Sequence, residues 1–422
     1  MKPDCMNPIL VEPSDTFFFR DSIPMSAGQG RGAGARLPLP STFHEALRAS
    51  LFEKHGRSTE PAAFRPKEAP RTGGWLGQGK SVISRGSKDY QSLQVAGPLP
   101  YLMPEKDSPG GLHFPLPLDV VFDEQNKAHT LQLLALDGES HSASLPAVTV
   151  SPAPARKDQP SGFLSAEAMN AYLRGDLTKL ESKDALLVSG DLFEPEYRIG
   201  VAIDESSRSA ASGQLYSATH ARPADRFRFA AWTGLKNPLS GEDEKLQRLD
   251  FLILGGERRI SRIYSENVTL PVPALPSPTG ADGPAILRWS LVTPAVFAHG
   301  SLPGWCRDTS SSARPTGQVC LPLPSGRAHL IATCQGKPLA FAGWDVVAQQ
   351  SKPTQLAVPA GSVFYFLCEN AAVARELGTL LHWRPRSDVF GEKGFGYGLC
   401  SYSAHFHPTS PDVRAMATKL FT

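Results

Sequence analysis

The chain has 422 residues, of which 41% are hydrophobic and 9% aromatic, and its formal net charge is +2. These values exclude a disordered or low-complexity chain and leave room for two or three domains with full cores. The 37 glycines and 38 prolines predict many turns, short strands and long loops. The charge is unevenly spread. Between Arg20 and Lys88 there are twelve basic residues and five acidic ones, a balance of +7, so the remainder carries −5. A basic segment on a near-neutral chain fits a nucleic-acid contact better than general stickiness.

The N-terminus leads into no apolar signal segment, and no apolar run reaches the length of a membrane span. The expectation is a soluble cytoplasmic protein. The six cysteines, at 5, 306, 320, 334, 368 and 400, include no CxxC pair and read as reduced thiols, not metal ligands.

In chain order, Phe17, Phe18 and Phe19 predict a buried β-segment that stops at Arg20 and Asp21. A loop follows with glycines at 28, 30, 32 and 34 and arginines at 31 and 36. Pro40, Ser41 and Thr42 then open a helix. Thr42 and Glu45 have capping-box spacing, and Phe43, Ala46, Leu47, Ser50 and Leu51 recur at helical intervals. Bare amides and a helix N-terminus beside arginines are chemistry that a phosphate can use, although Gly-rich loops are more often only flexible. Residues 56–118 read as an irregular insertion.

Val120–Phe122 and Thr130–Leu136 predict paired strands, and residues 151–162 have a linker's composition. Ser165 caps a short helix through Leu173 that ends at Gly175. Residues 197–203 and 215–218 predict a long hairpin around a polar loop. Phe251–Leu254 is a strand running into the turn Gly255-Gly256-Glu257-Arg258-Arg259. Further strands are expected at 287–293, 330–333 and 363–367, and a helix at 371–381. Short strands with few helical crossovers predict α+β sheets, not a doubly wound parallel sheet.

Three motifs bear on chemistry. Gly74 to Ser81 satisfies GxxxxGK[ST], with Lys80 as the phosphate lysine, but no strand precedes it and Gly86 cuts short any helix. Lys393-Gly394-Phe395-Gly396-Tyr397 is like the first half of an RNA-recognition strand, a pattern that Gly398 and Cys400 break, so a Gly-rich loop is the preferred reading. His44, one helical turn from Arg48, could serve as a general base for RNA cleavage, or be a polar residue of the helix surface. His405 and His407 share a strand face without a third ligand. No catalytic constellation emerges, and no cofactor or metal is expected.

Taken together, several motifs resemble one family. They are Val11-Glu12-Pro13 with Phe18 to Asp21, Leu37 to Thr42 with Ala46-Leu47-Arg48, Glu196 to Gly200, and Gly213 to Tyr216. Leu254 to Glu257, Leu291 to Phe297, Gly343-Trp344-Asp345, Val358 to Val363 and Gly391 to Gly398 follow in the same order. The ordered set resembles the third subunit of the Cmr complex, the type III-B CRISPR effector, in the repeat-associated mysterious protein (RAMP) superfamily. Residues 53–118 and 300–325 match nothing in that pattern.

The resemblance implies an α+β fold of two ferredoxin-like (RRM-type) domains with antiparallel sheets, insertions and a C-terminal Gly-rich loop. The boundaries expected are 1–160, a helical connector at 161–190, and 191–422. It implies a non-catalytic subunit that holds the 5′ tag of the CRISPR RNA and docks on the large polymerase-like subunit and the first backbone subunit, meeting target RNA only indirectly. RNA contacts are then expected at Arg20, Arg31, Gly32, Arg36, Ser41, Thr42, His44 and Arg48. They extend to Arg198, Arg258, Lys393, Gly394, Phe395, Gly396 and Gly398. The competing readings are a RAMP-fold endoribonuclease that uses His44 and, further off, a P-loop nucleotidase that uses Lys80.

Overall fold

A computed structural model describes residues 6–20, 31–35, 37–54, 92–106, 109–136, 145–182, 184–204, 206–236, 243–244, 249–278, 283–298, 300–306, 317–345, 350–402, 404–406 and 413–421. The fold is mixed α/β with mostly antiparallel sheets. The chain divides into two compact units, each gathered from three separate stretches. One comprises residues 1–111, 189–270 and 340–356, and the other 112–188, 271–339 and 357–422. Where a consecutive division at 160 and 190 is expected, these units interleave along the chain, which composition shifts along a sequence do not register.

The first unit is built on five antiparallel strands in the spatial order Gln94–Leu102, Phe227–Lys236, Asn7–Pro13, Ile260–Tyr264 and Phe251–Ile253. Gln94–Leu102 lies well inside the stretch expected to be irregular. Its alternation around Pro98 and Pro100 obscures a strand that tertiary pairing with Phe227–Gly234 nonetheless imposes. Helix Pro40–Lys54 packs against this sheet. It begins at Pro40, where proline's fixed φ and missing N–H suit a first helical position. Thr42 thus lies inside the first turn, and the capping-box expectation is corrected.

The three phenylalanines expected to be buried are the centre of this unit. Phe17, Phe18 and Phe19 are 2%, 6% and 4% exposed. The Phe17 ring lies 5.3 Å from Phe193 and 5.5 Å from Phe229, and Phe227 stands edge-on to Phe229 at 4.8 Å. Edge-to-face pairs of this kind add to the burial of apolar area.

A second sheet of the first unit has the order Phe193–Ile203, Ala210–Pro223, Arg31–Ala35 and Phe19–Arg20. Arg31 to Ala35 is a strand, not part of a loop: Gly32 lies opposite Ala218 and Gly34 opposite Arg20. Asp21 to Gly30 and Arg36 lie outside the described residues, as does the P-loop pattern at 74–81.

The second unit holds four antiparallel strands in the order Ala328–Cys334, Val363–Cys368, Ala285–Leu291 and Gly398–Ser401. Helix Ala371–Leu381 covers one face, burying Val373, Leu377 and Leu381 with Trp289, Phe364 and Phe366. The other face buries Tyr365 and Leu367 with Met416 and Ala417 of helix Val413–Phe421. Ser165 caps helix Ala166–Arg174 by accepting from the Ala168 N–H at 3.3 Å, and Gly175 ends it at φ 83°, as its sequence predicts. Strand Val120–Phe122 pairs with Ala128–Thr130, not with the Gln132–Ala135 strand, which takes Ala147–Val150. The linker-like stretch is docked: Gln159 donates to the Phe122 carbonyl and accepts from its N–H, both at 2.8 Å. No described helix is long and apolar enough to cross a membrane.

Candidate nucleic-acid interface

The hairpin of the first unit sorts its side chains by register. Glu196 lies opposite His220, Arg198 opposite Ala218 and Glu194 opposite Arg222, so one face carries Glu196, Arg198, His220 and Arg222. Tyr197, Ile199 and Val201 alternate with them and point to the other face. The charged face meets Asp15 and Thr16, which follow strand Asn7–Pro13, and the turn Gly255 to Arg259.

A closed ion-pair network results. Arg198 Nη2 donates to Glu196 Oε1 at 2.7 Å and to Thr16 Oγ1 at 2.9 Å, and lies 3.8 Å from Asp15 Oδ2. Arg222 also pairs with Glu196 and reaches Asp15 at 3.3 Å. Arg259 donates to Asp15 at 3.0 Å and to Glu257 at 2.7 Å. Three guanidinium groups meet three carboxylates, leaving little net field for a polyanion. The Thr16 N–H hydrogen bond, then the charges of Arg222, Arg259 and Arg198, hold the Asp15 carboxyl below its ordinary range. Hydrogen bonds from Arg198 and Arg222 do the same for Glu196. Burial pushes Glu257 up, but the Arg259 hydrogen bond and the neighbouring positive groups outweigh it.

The turn depends on its glycines. At Gly255, φ is +82° and a Cβ would lie 2.6 Å from the Phe18 carbonyl and 2.9 Å from the Phe19 ring, so only glycine fits. Gly256 N–H donates to that same carbonyl at 2.8 Å. Glu257 and Arg258 then both adopt left-handed backbone, φ 58° and 49°. That conformation turns Glu257 to within 3.4 Å of His220 Nε2 and leaves Arg258 exposed. His220 itself is 1% exposed and stacks on Phe18 at 5.2 Å. Desolvation lowers its pKa, with Glu257 opposing.

Of the arginines expected at RNA, Arg198 is thus engaged by acids of its own unit, whereas Arg258 is free to meet a partner. Arg20 and Arg31 lie on neighbouring short strands. Ser41 and Thr42 sit half-buried in the first helical turn. His44 is 0% exposed and 3.2 Å from the Leu93 carbonyl, and Arg48 is 9% exposed and 3.9 Å from Glu45. The expectation that His44 lies on the helix surface is corrected: its position, between Phe43 and Leu47 on a helix that packs the sheet, places it in the core.

The Gly-rich loop of the second unit is also turned inward. Lys393 is 5% exposed and Phe395 0%. The loop's backbone is consumed internally, with Gly396 N–H to the Pro294 carbonyl at 2.8 Å, Arg386 N–H to the Gly396 carbonyl at 3.0 Å, and Trp383 N–H to the Gly398 carbonyl at 2.7 Å. Ser387 fills the space a Gly396 Cβ would need, and Trp289 the space at Gly398. Gly394 takes φ 106° to end a short 3₁₀ turn. The glycines, expected to let RNA approach this backbone, admit close neighbours from the chain itself.

Sequence reasoning missed Asp15, Glu196, His220, Arg222, Glu257 and Arg259. The signal was present as alternation, Glu194, Glu196 and Arg198 on one strand and His220 and Arg222 on the next, but only the register reveals which of them meet. Among the described residues no group of three or more His, Cys, Asp or Glu is placed to hold a metal. Cys306, Cys320, Cys334, Cys368 and Cys400 are free thiols.

No curated protein matches the sequence. Solved structures that are similar include a chain of a type III-B Cmr-beta complex bound to cognate target RNA and AMPPnP, at 14% identity and TM-score 0.44, covering 88% of each chain. Another, bound to cognate target RNA, is 14% identical with TM-score 0.43 and covers 85% of this chain and 86% of that one. A chain of the apo Cmr-beta complex is 10% identical with TM-score 0.26, covering 62% and 97%. The family model for CRISPR-associated protein (Cas_Cmr3) matches residues 9–402, nearly the whole chain, and so the chain belongs to that family.

Proposed function

We propose that the chain is a non-catalytic, RNA-binding subunit of a type III-B Cmr effector, acting in the cytoplasm in antiviral defence. It holds the 5′ tag of the CRISPR RNA, docks on the large polymerase-like subunit and a backbone subunit, and meets target RNA through the assembly. The observation that carries this reading is the family match over residues 9–402. Strand order adds support for two ferredoxin-like domains. Numbered along the chain, Asn7–Pro13, Gln94–Leu102, Phe227–Lys236 and Ile260–Tyr264 lie in space as 4-1-3-2, and so do Ala285–Leu291, Ala328–Cys334, Val363–Cys368 and Gly398–Ser401. Helix Pro40–Lys54 follows the first strand of the first set, and helix Ala371–Leu381 follows the third strand of the second.

In this reading Arg258 and the basic segment with Arg20, Arg31 and Arg36 contact phosphate, with Ser41 and Thr42 beside them. The endoribonuclease alternative is disfavoured by the burial of His44, whose imidazole cannot reach a 2′-hydroxyl without unfolding the helix packing. Incubating the purified chain with repeat RNA tests the choice. The RNA is expected to stay intact; site-specific cutting lost in His44→Ala would reverse it.

A further inference from the structure

The second unit holds a cavity that neither the ion-pair network nor the RNA reading uses. Its volume is about 200 Å³, and its walls come from stretches far apart in the chain. His129 and Thr130 belong to strand Ala128–Thr130, and Gln132 opens the next strand, Gln132–Ala135. Gly175 and Leu177 follow helix Ala166–Arg174, and Pro152 lies in the docked stretch 151–162. His405 closes the remaining side, where its carbonyl accepts from the Leu133 N–H at 2.8 Å. Drug-sized ligands fill roughly 300–1,000 Å³, so a cavity of this size suits a single small ring system.

The chemistry of the walls narrows the occupant. No described lysine or arginine lines the cavity, and the negative end of the helix dipole abuts it at Gly175. A phosphate finds no counter-charge there, whereas N–H donors do find acceptors. His129 Nε2 lies 2.9 Å from Asp123 Oδ2, and Asp123 Oδ1 accepts from the Gln125 and Lys127 N–H groups at 3.0 and 2.9 Å. The His129 bond, then the Lys127 N–H, hold the Asp123 carboxyl below its ordinary range. A carboxylate only accepts, so Nε2 carries the proton and the neutral imidazole keeps Nδ1 as an acceptor. Gln132 adds a donor and an acceptor side by side; it is half-buried and bonds to no other described side chain or backbone group through its amide. Leu177 and Pro152 offer apolar surface to a ring, and the exposed His405 imidazole offers a face for stacking.

We propose that this cavity binds an adenine-type base, with the Gln132 amide paired to the exocyclic amine and the adjacent ring nitrogen and with His129 accepting the second amine hydrogen. A glutamine amide selects adenine by this two-bond pairing. Guanine and uracil place a carbonyl where adenine has its amine, which sets acceptor against acceptor at His129. The sugar and any phosphate stay outside, so a free nucleoside and an unpaired base of an RNA present the same chemistry to the cavity. The proposal does not depend on the reading of the chain as an effector subunit.

The test is saturation-transfer NMR on the full-length chain with adenosine, guanosine and uridine, for the wild type and for Gln132→Leu and His405→Ala. Adenosine is expected to bind at millimolar concentration or below. Guanosine and uridine should bind about tenfold more weakly or worse, and so should adenosine to Gln132→Leu. His405→Ala, a change at an exposed position, should weaken adenosine as well, and both variants should keep the wild-type melting temperature. No adenosine signal at millimolar concentration overturns the proposal. Equal affinity for the three nucleosides does so too, as does undiminished adenosine binding by the two variants. With adenosine bound, displacement by a short oligoadenylate RNA identifies an RNA base as the occupant, and failure to displace identifies a free nucleoside. The effector-subunit reading is judged separately, by the RNA and proteins that co-purify, and stands or falls without this result.

Discussion

The Arg288 guanidinium donates from Nη1 to Asp119 Oδ2 at 3.1 Å in a place where the two side chains are 2% and 0% exposed. Tyr172 and Tyr365 donate their hydroxyls to the same carboxylate at 2.7 and 2.8 Å, and Arg288 Nε donates to Ser401 at 2.9 Å. The guanidinium also lies 4.1 Å from the Tyr172 ring centroid. Burial pushes both phenols well above their ordinary range, so they stay protonated as donors. The group ties the segment before Val120, helix Ala166–Arg174 and three sheet strands of the second unit together.

Removing one partner strands the other charge without solvent. Asp119→Ala should cost about 3–5 kcal/mol, whereas Asp119→Leu combined with Arg288→Met should cost less than the sum of the single changes. Urea denaturation of the wild type, the three single variants and the double variant checks this. Additive losses would show that the pair is not coupled.

Acid should weaken the first unit in two stages. His220 has its pKa held below 6.5 by desolvation, so the folded state resists a proton that the unfolded chain accepts. Its contribution is complete above 6.5 and declines as the pH falls below that value. The depressed carboxyls of Asp15, Glu196 and Glu257 add a second decline below about 4. Melting temperature measured from pH 7.5 to 4.5 should fall for the wild type. His220→Phe, which retains a ring against Phe18, should flatten that range. An unchanged slope would remove His220 from the account.

Gly255→Ala should destabilise by about 1–3 kcal/mol, because the new methyl meets the Phe18 carbonyl in a left-handed backbone. Gly396→Ala should do the same through Ser387. Thermal melts of both variants decide it; a neutral Gly396→Ala would mean the loop has room to spare.

Arg258→Ala should leave stability within about 0.5 kcal/mol of wild type, as expected for an exposed side chain. It should lower RNA affinity alike across sequences and reduce the salt slope by about one. Filter binding at several salt concentrations reads both. Unaltered affinity would assign Arg258 to a protein contact.

Local signals were legible where a residue's role is settled by its neighbours in sequence. Ser165 and Gly175 delimit a helix by capping chemistry alone, and the Phe17 to Phe19 run can only be core. The Ala371–Leu381 helix and the Phe251–Ile253 strand were readable for the same reason. What was not legible depends on pairing at long range. Gln94–Leu102 is a strand because Phe227–Gly234 lies beside it, and His44 is buried because of where its helix lands on that sheet. Gly396 and Gly398 read as openings for a ligand, yet the same absence of a Cβ admits Ser387 and Trp289. A glycine records a close approach without naming what approaches.

The measurement that bears most directly on the central claim is sequencing of the RNA that co-purifies with the chain from its native host at moderate salt. Small RNAs that share one repeat-derived 5′ tag are expected, recovered together with a fixed set of proteins and depleted when Arg258 and the arginines at 20 and 31 are replaced. RNA of random sequence, or none above background, would contradict it.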